Sequence, residues 1–264
     1  MLAHRITPLK FRAVAMLGRH GIDEVITHAE TQRTFAIDHL RFSQDHVKVL
    51  PYQVDEDFWA PRSASADKSL ISSAGLEQRD YGTLLQAVTN IDIDVSIAAA
   101  SPTSSFPSTL GRQHLSERIH VAQLNYLDLR ELYAASRFVV VPLFDADGPA
   151  GITTILEAMA MGKAVIVTRS LGQMGAVVGP LWTGGVGTWP EEGPSPENAS
   201  GIYVRPGDVG GLRSAIAFLL AHSEIAALLG ANGRRLVEER YTIGAFVNRF
   251  AAVISDANLV DRPN

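Results

Sequence analysis

The stretch SRFVVVPLFDADGPAGITTILEAMAMGKAVIVT, residues 136–168, predicts a strand, a loop, a helix and a second strand. The aromatic and β-branched residues at 138–141 are typical of a parallel strand that is buried on both faces. Apolar side chains at helical spacing predict a helix over 152–161, and Gly162 stands where helices commonly end. A second apolar run at 164–168 completes the pattern, which indicates a strand–helix–strand unit of a parallel sheet.

The loop and the helix start between these two strands favour ligand binding. In a parallel sheet, the loop that leaves the carboxyl end of a strand borders the ligand crevice. A helix that starts at Gly151, Ile152 and Thr153 would offer free N–H groups and its dipole to a phosphate. Glu157 could then accept hydrogen bonds from hydroxyls such as those of a ribose, which suggests a nucleotide or a nucleotide sugar. Spacing alone leaves an alternative open for each of these residues. Gly151 and Gly162 could be plain turn residues, and Glu157 could be a solvated helix residue.

The rest of the chain predicts an α/β fold with one complete and one partial unit. Strands alternate with helices over 68–220, which predicts a parallel sheet covered by helices on both faces. An irregular stretch rich in Pro, Ser and Ala separates this unit from two helices and two strands upstream. We therefore expect domains at 1–60 and 61–240. Residues 241–264 would form a C-terminal helix that packs back on the N-terminal part.

Two further local patterns carry structural predictions. Asp128 with Glu131 three residues later resembles a capping box, which predicts that a short helix starts at Asp128. The segment 169–200 is rich in Gly and Pro and contains Trp182 and Trp189. It is too long for an ordinary connection, so we expect either a functional loop or partial disorder there.

Composition excludes several classes of function. The chain has 264 residues, 46% of them hydrophobic, and a net charge of −5 without any basic run, so nucleic acid is not an expected partner. It has no cysteine, which excludes disulfides and thiol catalysis. The eight histidines are scattered without metal-ligand spacing, so we expect no metal. Without a signal-peptide core or a long apolar run, we expect a cytoplasmic protein, with peripheral attachment to the inner membrane face as the alternative.

Several stretches resemble the C-terminal, donor-binding domain of retaining GT-B glycosyltransferases (glycosyltransferase group 1, family 4-like). Residues 151–168, GITTILEAMAMGKAVIVT, are similar to the family signature "G…EAMA.GKPVI.T". Four other stretches are similar to family patterns in the same order along the chain: VKVLPYQVDEDFWAP at 47–61, LRELYAASRFVVVP at 129–142, GIYVRPGDVGGL at 201–212 and LLGANGRRLVEERY at 228–241. Together they are distributed, in the family's order, over residues 47–241.

The resemblance implies a fold, a reaction and a donor site. The fold would be a Rossmann-like GT-B donor domain with a partial second Rossmann-like unit. The reaction would transfer a hexosyl unit from a nucleoside-diphosphate sugar to an acceptor hydroxyl, with retention and without a metal or another cofactor. By this resemblance Glu157 would bind the donor ribose, and the N–H groups of Gly151, Ile152 and Thr153 would bind the diphosphate. Arg79 stands where the family has a lysine, so its charge would balance the departing diphosphate.

Other positions of the implied site follow from the same comparison. Gly75 ends the first strand of the donor domain. The loop at 123–127 would border the nucleobase, and the binding residues expected from it are Gln123, Asn125 and Tyr126. Without the resemblance, Arg79 would be interpreted as a solvated charge beside Asp80.

The chain departs from the family pattern at two site positions. The family has an arginine directly after the glycine of its first donor-domain strand, and here Leu76 follows Gly75. The family also carries an acid eight residues before the position of Glu157, and here that residue is Pro149. The nearest acids upstream of Pro149 are Asp147 and Asp145, ten and twelve residues before Glu157. We expect one of them to approach the donor sugar, with Asp147 as the first candidate.

Length is the larger departure. Residues 1–50 would supply only the end of an acceptor-side domain, so we expect a truncated gene product, one half of a split enzyme or a shortened relative. The partners expected are a nucleotide-sugar donor, an acceptor that the sequence does not identify, and either a separate acceptor-domain polypeptide or a homo-oligomer. Two alternatives stay open: a non-catalytic subunit that binds a nucleotide sugar, and a GT-B sugar-nucleotide epimerase.

Overall fold

The computed structural model describes residues 22–62, 69–99, 116–145, 148–170, 172, 175–183 and 187–258. The strands are β1 Val25–Thr27, β2 Val47–Val49, β3 Leu70–Ala74, β4 Asp94–Ala98, β5 Ile119–Ala122, β6 Phe138–Val141, β7 Ala164–Thr168 and β8 Gly201–Val204. The helices are α1 Glu30–Asp38, α2 Tyr81–Val88, α3 Tyr126–Ala135, α4 Ile152–Ala160, α5 Val209–Ala221, α6 Ser223–Arg240 and α7 Ile243–Asn258.

The main sheet has six parallel strands in the order β5-β4-β3-β6-β7-β8. Along the chain, the strands first proceed outward from β3 to β5 and then return to the other side of β3 with β6. The order therefore reverses between β3 and β6. In open parallel sheets, ligands bind at the carboxyl ends of the strands at this reversal point. The predicted α/β class is confirmed, and the strand order places the candidate site.

Strands β6 and β7 form the centre of the core. Every residue from 138 to 141 and from 164 to 168 is buried, and most have no exposed surface at all. Side chains of a strand point alternately to opposite faces, so complete burial requires cover on both faces of the sheet. This is the physical reason that the strands are continuous apolar runs, and it confirms their prediction as buried parallel strands.

A second, smaller sheet pairs β1 with β2 in parallel, and α1 connects them. Hydrogen bonds join the chain after β2 to the start of α7: Val54 N–H donates to Tyr241 O at 2.8 Å, and Ile243 N–H donates to Glu56 Oε2 at 3.1 Å. The two sheets correspond to the complete and partial units expected from the sequence. The domain boundaries at 60 and 240 stay a prediction.

The described part of segment 169–200 covers the open edge of the main sheet. Leu181 pairs with Tyr203 of β8, and the N–H of Trp182 donates to Tyr203 O at 2.7 Å. Asn232 of α6 holds the end of the segment, since its Nδ2 donates to Ala199 O at 2.8 Å. An unpaired strand edge invites association with other chains, and this segment satisfies the edge of β8 instead.

Helix α6 packs on α4 through a glycine that admits no side chain. A Cβ added at Gly230 would lie 2.0 Å from the carbonyl oxygen of Gly162, which follows α4. Gly162 itself has φ +69°, as expected for the residue after a helix. The two backbones are therefore in direct contact at this crossing.

We expect Gly230→Ala to lower the free energy of unfolding by about 2 kcal/mol, because the added methyl group forces the two elements apart. Gly244→Ala is the matched control, since the nearest atom to its Cβ would be Thr242 Oγ1 at 4.0 Å. Urea unfolding followed by circular dichroism compares the two variants. Equal midpoints for both would show that the contact between Gly230 and Gly162 is not as close as described.

Candidate functional site

A cavity of about 280 Å³ lies at the reversal point of the main sheet. It opens between the chain that follows β3 and the chain that precedes α4. Tyr52, from the connection after β2, closes one side. The other lining residues are Gly75, Leu76, Glu77, Arg79, Pro149, Ala150, Gly151, Ile152, Thr153 and Thr154. The structure thus brings Gly75 and Arg79 together with Gly151, Ile152 and Thr153, although the two groups are 72 to 78 residues apart along the chain.

The start of α4 needs glycine at position 151. Gly151 has φ +82°, and an added Cβ would lie 2.9 Å from Val141 Cγ1. A side chain there would be both strained and in collision with β6. The first N–H groups of a helix have no acceptor within the helix, so Ile152 and Thr153 present theirs at the cavity. The left-handed glycine and the free N–H groups suit an anion at this end of the helix.

Arg79 is buried, with 9% of its surface exposed. Its Nε donates to Ala74 O at 2.7 Å, and its terminal nitrogens donate to Glu77 O at 2.9 Å and Thr154 Oγ1 at 3.0 Å. Burial lowers the pKa of the guanidinium from its ordinary value, although nearby Tyr and Glu side chains counteract this. The interpretation of Arg79 as a solvated charge beside Asp80 is therefore wrong.

Gly75 and Asp80 complete the frame around Arg79. Gly75 has φ +96°, and an added Cβ would lie 2.8 Å from Arg79 Cζ, so the guanidinium packs directly on the glycine. Asp80 instead caps α2, where its Oδ1 accepts from Thr83 N at 3.0 Å. Leu76 occupies the next position in the cavity wall and supplies no charge. Among the residues that line the cavity, Arg79 therefore supplies the positive charge.

Glu157 lies one turn further along α4 than the lining residues of the cavity. Burial raises the pKa of its carboxyl group to about 7, and a hydrogen bond from Tyr133 and the charge of Arg79 partly offset that effect. Tyr133 Oη donates to Glu157 Oε2 at 3.3 Å. Glu157 is therefore linked to the rest of the site and is not a freely solvated helix residue.

Tyr133 and Thr154 belong to the site although the sequence did not predict them there. Thr154 is 4% exposed and accepts the hydrogen bond from Arg79, so it connects the loop after β3 to α4. Tyr133 reaches Glu157 from α3, which follows a different strand. Tyr133 lies in the stretch 129–142 that resembles the family, and Thr154 follows Thr153 in the signature. Both residues therefore lie in stretches that resemble the family. The local sequence does not indicate, however, which side chain each of them contacts.

The residues expected at the nucleobase lie apart from this cavity. Asn125 is the N-cap of α3, where its Oδ1 accepts from Asp128 N at 2.9 Å. The helix therefore starts at Tyr126, and the predicted start at Asp128 is wrong. Tyr126 is 71% exposed, and its ring lies 6.4 Å from that of Trp59. Gln123 follows β5, two strands away from β3, which corresponds to roughly 10 Å.

The position of Asp147 lies outside the described residues. In the described part of the chain, no three His, Asp or Glu side chains come together as a metal ion would require. No single helix in those same ranges is long and apolar enough to cross a membrane. The pair α5 and α6 meets that criterion only jointly, with a bend of 100°. Metal independence and cellular location stay predictions.

A family model described as Glycosyl transferases group 1 matches residues 70–222, more than half of the chain. The chain is also 23% identical over 248 residues to the MMP alpha-(1->4)-mannosyltransferase of Mycolicibacterium hassiacum. That match covers 89% of this chain and 54% of the mannosyltransferase. The chain thus spans about half the length of this relative.

Solved structures show the same fold. Sucrose-phosphate synthase from Thermosynechococcus elongatus matches with a TM-score of 0.77 at 19% identity, over 98% of this chain and 64% of that one. The Anabaena protein HepE, in complex with UDP and glucose, matches with a TM-score of 0.73 at 15% identity, over 96% of this chain and 68% of that one. At these identities the likeness concerns the fold alone, and it agrees with the GT-B fold expected from the sequence.

Proposed function

Because the chain belongs to the group 1 glycosyl transferases, we propose that it binds a nucleoside-diphosphate sugar between β3 and β6 and takes part in transfer of that sugar to an acceptor hydroxyl. The observation that carries this proposal is the meeting of three features at one reversal point. The N-terminus of α4 offers N–H groups, Arg79 brings a positive charge, and Glu157 brings a carboxylate.

Each feature has a role that fits one part of the donor. The diphosphate lies at Ile152 and Thr153, where the helix dipole and free N–H groups favour negative charge. Arg79 uses three of its donors on the protein, and its charge remains at the cavity wall to stabilise the leaving group. Glu157 accepts hydrogen bonds from ribose hydroxyls.

In the proposed reaction, the acceptor oxygen bonds to the anomeric carbon while the bond from that carbon to the diphosphate oxygen breaks. The proton of the acceptor hydroxyl leaves with the diphosphate. Stabilising the negative charge that develops on the diphosphate lowers the barrier to this step. Retention of configuration and independence of metals are parts of the proposal that rest on the family resemblance.

The first donors to test are uridine and guanosine nucleotides. HepE was solved with UDP and with UDP-glucose, and the mycobacterial relative is a mannosyltransferase, which makes glucosyl and mannosyl donors reasonable choices. Calorimetric titration of the full chain with UDP, UDP-glucose, GDP and GDP-mannose would test the donor site. We expect micromolar binding of one base and at least about tenfold weaker binding by Glu157→Ala, since a hydrogen-bonded charged group contributes more than 1.4 kcal/mol.

Glu224→Ala is the matched control, because Glu224 is an exposed carboxylate at the start of α6 and does not line the cavity. The Glu224→Ala variant should bind the nucleotide with the same affinity as the unmodified chain. A folded chain that binds none of the four nucleotides would contradict the proposal.

A second candidate function is a nucleotide-sugar-binding subunit without activity of its own. One observation favours it: Leu76 lines the cavity at the position where the family resemblance implies a second cation. Donor hydrolysis by the purified chain distinguishes the two. Turnover of a bound nucleotide sugar supports the enzyme, whereas binding without any turnover supports the subunit.

A further inference from the structure

Tyr133 is an ionisable side chain that the proposed reaction leaves without a role. It has no exposed surface, and its ring packs on that of Trp59 at a centroid distance of 5.6 Å. The hydroxyl group at its tip donates to Glu157 Oε2 at 3.3 Å. A buried tyrosine hydroxyl requires a hydrogen-bond partner, and here that partner is the carboxylate proposed to bind the donor.

The contact joins elements from different parts of the fold. Tyr133 comes from α3, which leads into β6, whereas Glu157 comes from α4, which follows β6. The bond occupies Oε2 of Glu157 and leaves Oε1 for a ligand. Because the phenol ring is held by its packing, the carboxylate has one preferred orientation before any ligand arrives. Such a preset geometry is what a binding group needs.

We propose that Tyr133 is the positioning residue of the donor site: it holds Glu157 Oε2 and directs Oε1 to the donor ribose. This inference rests on the proposed function, since it assigns the residue that makes Glu157 competent to bind. It adds a residue that neither the motif spacing nor the cavity lining identifies.

Among the described residues, two side chains act on the charge of Glu157. Tyr133 faces it from α3, and Arg79 acts on it from the connection between β3 and α2. From α6, which packs on α4, the cation Arg234 instead binds Ala160 O at the other end of α4, at 3.0 Å. Burial favours the neutral acid, whereas the Tyr133 hydrogen bond and the Arg79 charge favour the carboxylate.

The direction in which the pKa of Glu157 changes when the Tyr133 hydroxyl is removed can therefore be predicted. The carboxylate of Glu157 would lose a donor, so its pKa would rise further above the value of about 7. We expect an upward shift of about one pH unit in Tyr133→Phe, a change typical of a lost hydrogen bond to a charged group. At pH 7 fewer molecules would carry the charged form, and donor affinity would fall about fivefold. At pH 8.5 most of that loss would disappear.

Two measurements test this inference on the full chain. The first is the titration of ¹³C-labelled glutamate carboxyls by NMR, with the Glu157 signal assigned by its absence in Glu157→Gln. The second is the affinity for UDP or GDP between pH 6.5 and 8.5, expressed as the ratio of variant to unmodified chain so that titration of the nucleotide cancels. Tyr203→Phe is the control, because Tyr203 is a buried tyrosine whose hydroxyl donates to Val177 O and not to Glu157.

The outcomes separate this inference from the proposed function. A raised midpoint together with an affinity loss that recovers at high pH supports the role of Tyr133. An unchanged midpoint, or a loss that is equal at every pH, overturns it and leaves donor binding intact. No nucleotide binding by the unmodified chain overturns the donor site, and with it the positioning role, whatever the midpoint does.

Discussion

Arg79→Ala is expected to lower the free energy of unfolding by about 3–4 kcal/mol, because each buried acceptor that loses its donor costs about 1–3 kcal/mol. Ala74 O and Thr154 Oγ1 are buried and lose the guanidinium at once, and the part-buried Glu77 O loses it as well. Gly75, which packs directly on that group, would border an empty space. The same change removes the positive charge from the cavity wall, so donor affinity should fall as well.

Arg79→Lys separates the two effects. Lysine keeps the charge, but its single ammonium cannot reproduce the fork of donors that a guanidinium offers. We therefore expect Arg79→Lys to keep most of the donor affinity while losing a large part of the stability. Urea unfolding and calorimetry on both variants provide the comparison. Full stability in Arg79→Ala would show that the buried hydrogen bonds contribute little, and a loss of affinity in Arg79→Lys equal to that in Arg79→Ala would contradict the role of the charge.

The centre of the fold was predictable because its signals are local and agree with each other. Strands β6 and β7 are continuous apolar runs, and Gly151 and Gly162 mark the limits of the helix between them. The apolar runs, the two glycines and the short connections all predict the same strand–helix–strand unit. Because these local signals agree, they specify one structure. The position of the cavity then follows from the strand order.

The start of α3 was mispredicted because two capping patterns compete within four residues. Asp128 and Glu131 fit a capping box, yet Asn125 accepts the bond from Asp128 N, and the helix begins at Tyr126. Asn and Asp are about equally good N-caps, so propensity does not distinguish them. Tyr133 and Ala134 lie within the helix from either start, so their burial does not decide between the two caps.

Part of the site could not be predicted because its contacts join distant segments. The bond between Arg79 and Thr154 spans 75 residues, and the bond between Tyr133 and Glu157 crosses from one helix to another. A sequence pattern shows the type of each residue and its place on a helix or loop, but not the neighbour across the sheet. The raised pKa of Glu157 has the same origin, since burial is produced by elements that the motif does not contain.

Trp182→Ala is expected to lower the free energy of unfolding by about 3–5 kcal/mol, the range for removing a large buried aromatic side chain. Trp182 is 1% exposed, and its ring lies 4.9 Å from that of Phe218 on α5. Its Nε1 also donates to Ser214 Oγ at 2.7 Å. Trp182 thus attaches the segment that pairs with the edge of β8 to α5, a helix of the core. A mobile loop would not make such contacts.

Two further variants are the controls for this prediction. Trp182→Phe keeps an aromatic ring but loses the bond to Ser214, so it should cost less than the alanine variant. Trp189→Ala should also cost less, because Trp189 packs at the margin of the core and is only partly buried. Urea unfolding by far-ultraviolet circular dichroism measures all three without depending on tryptophan fluorescence. If Trp182→Ala unfolds no earlier than Trp189→Ala, the segment does not secure the edge. The exposed strand β8 would then need another partner, since an unpaired edge of buried, apolar residues promotes association.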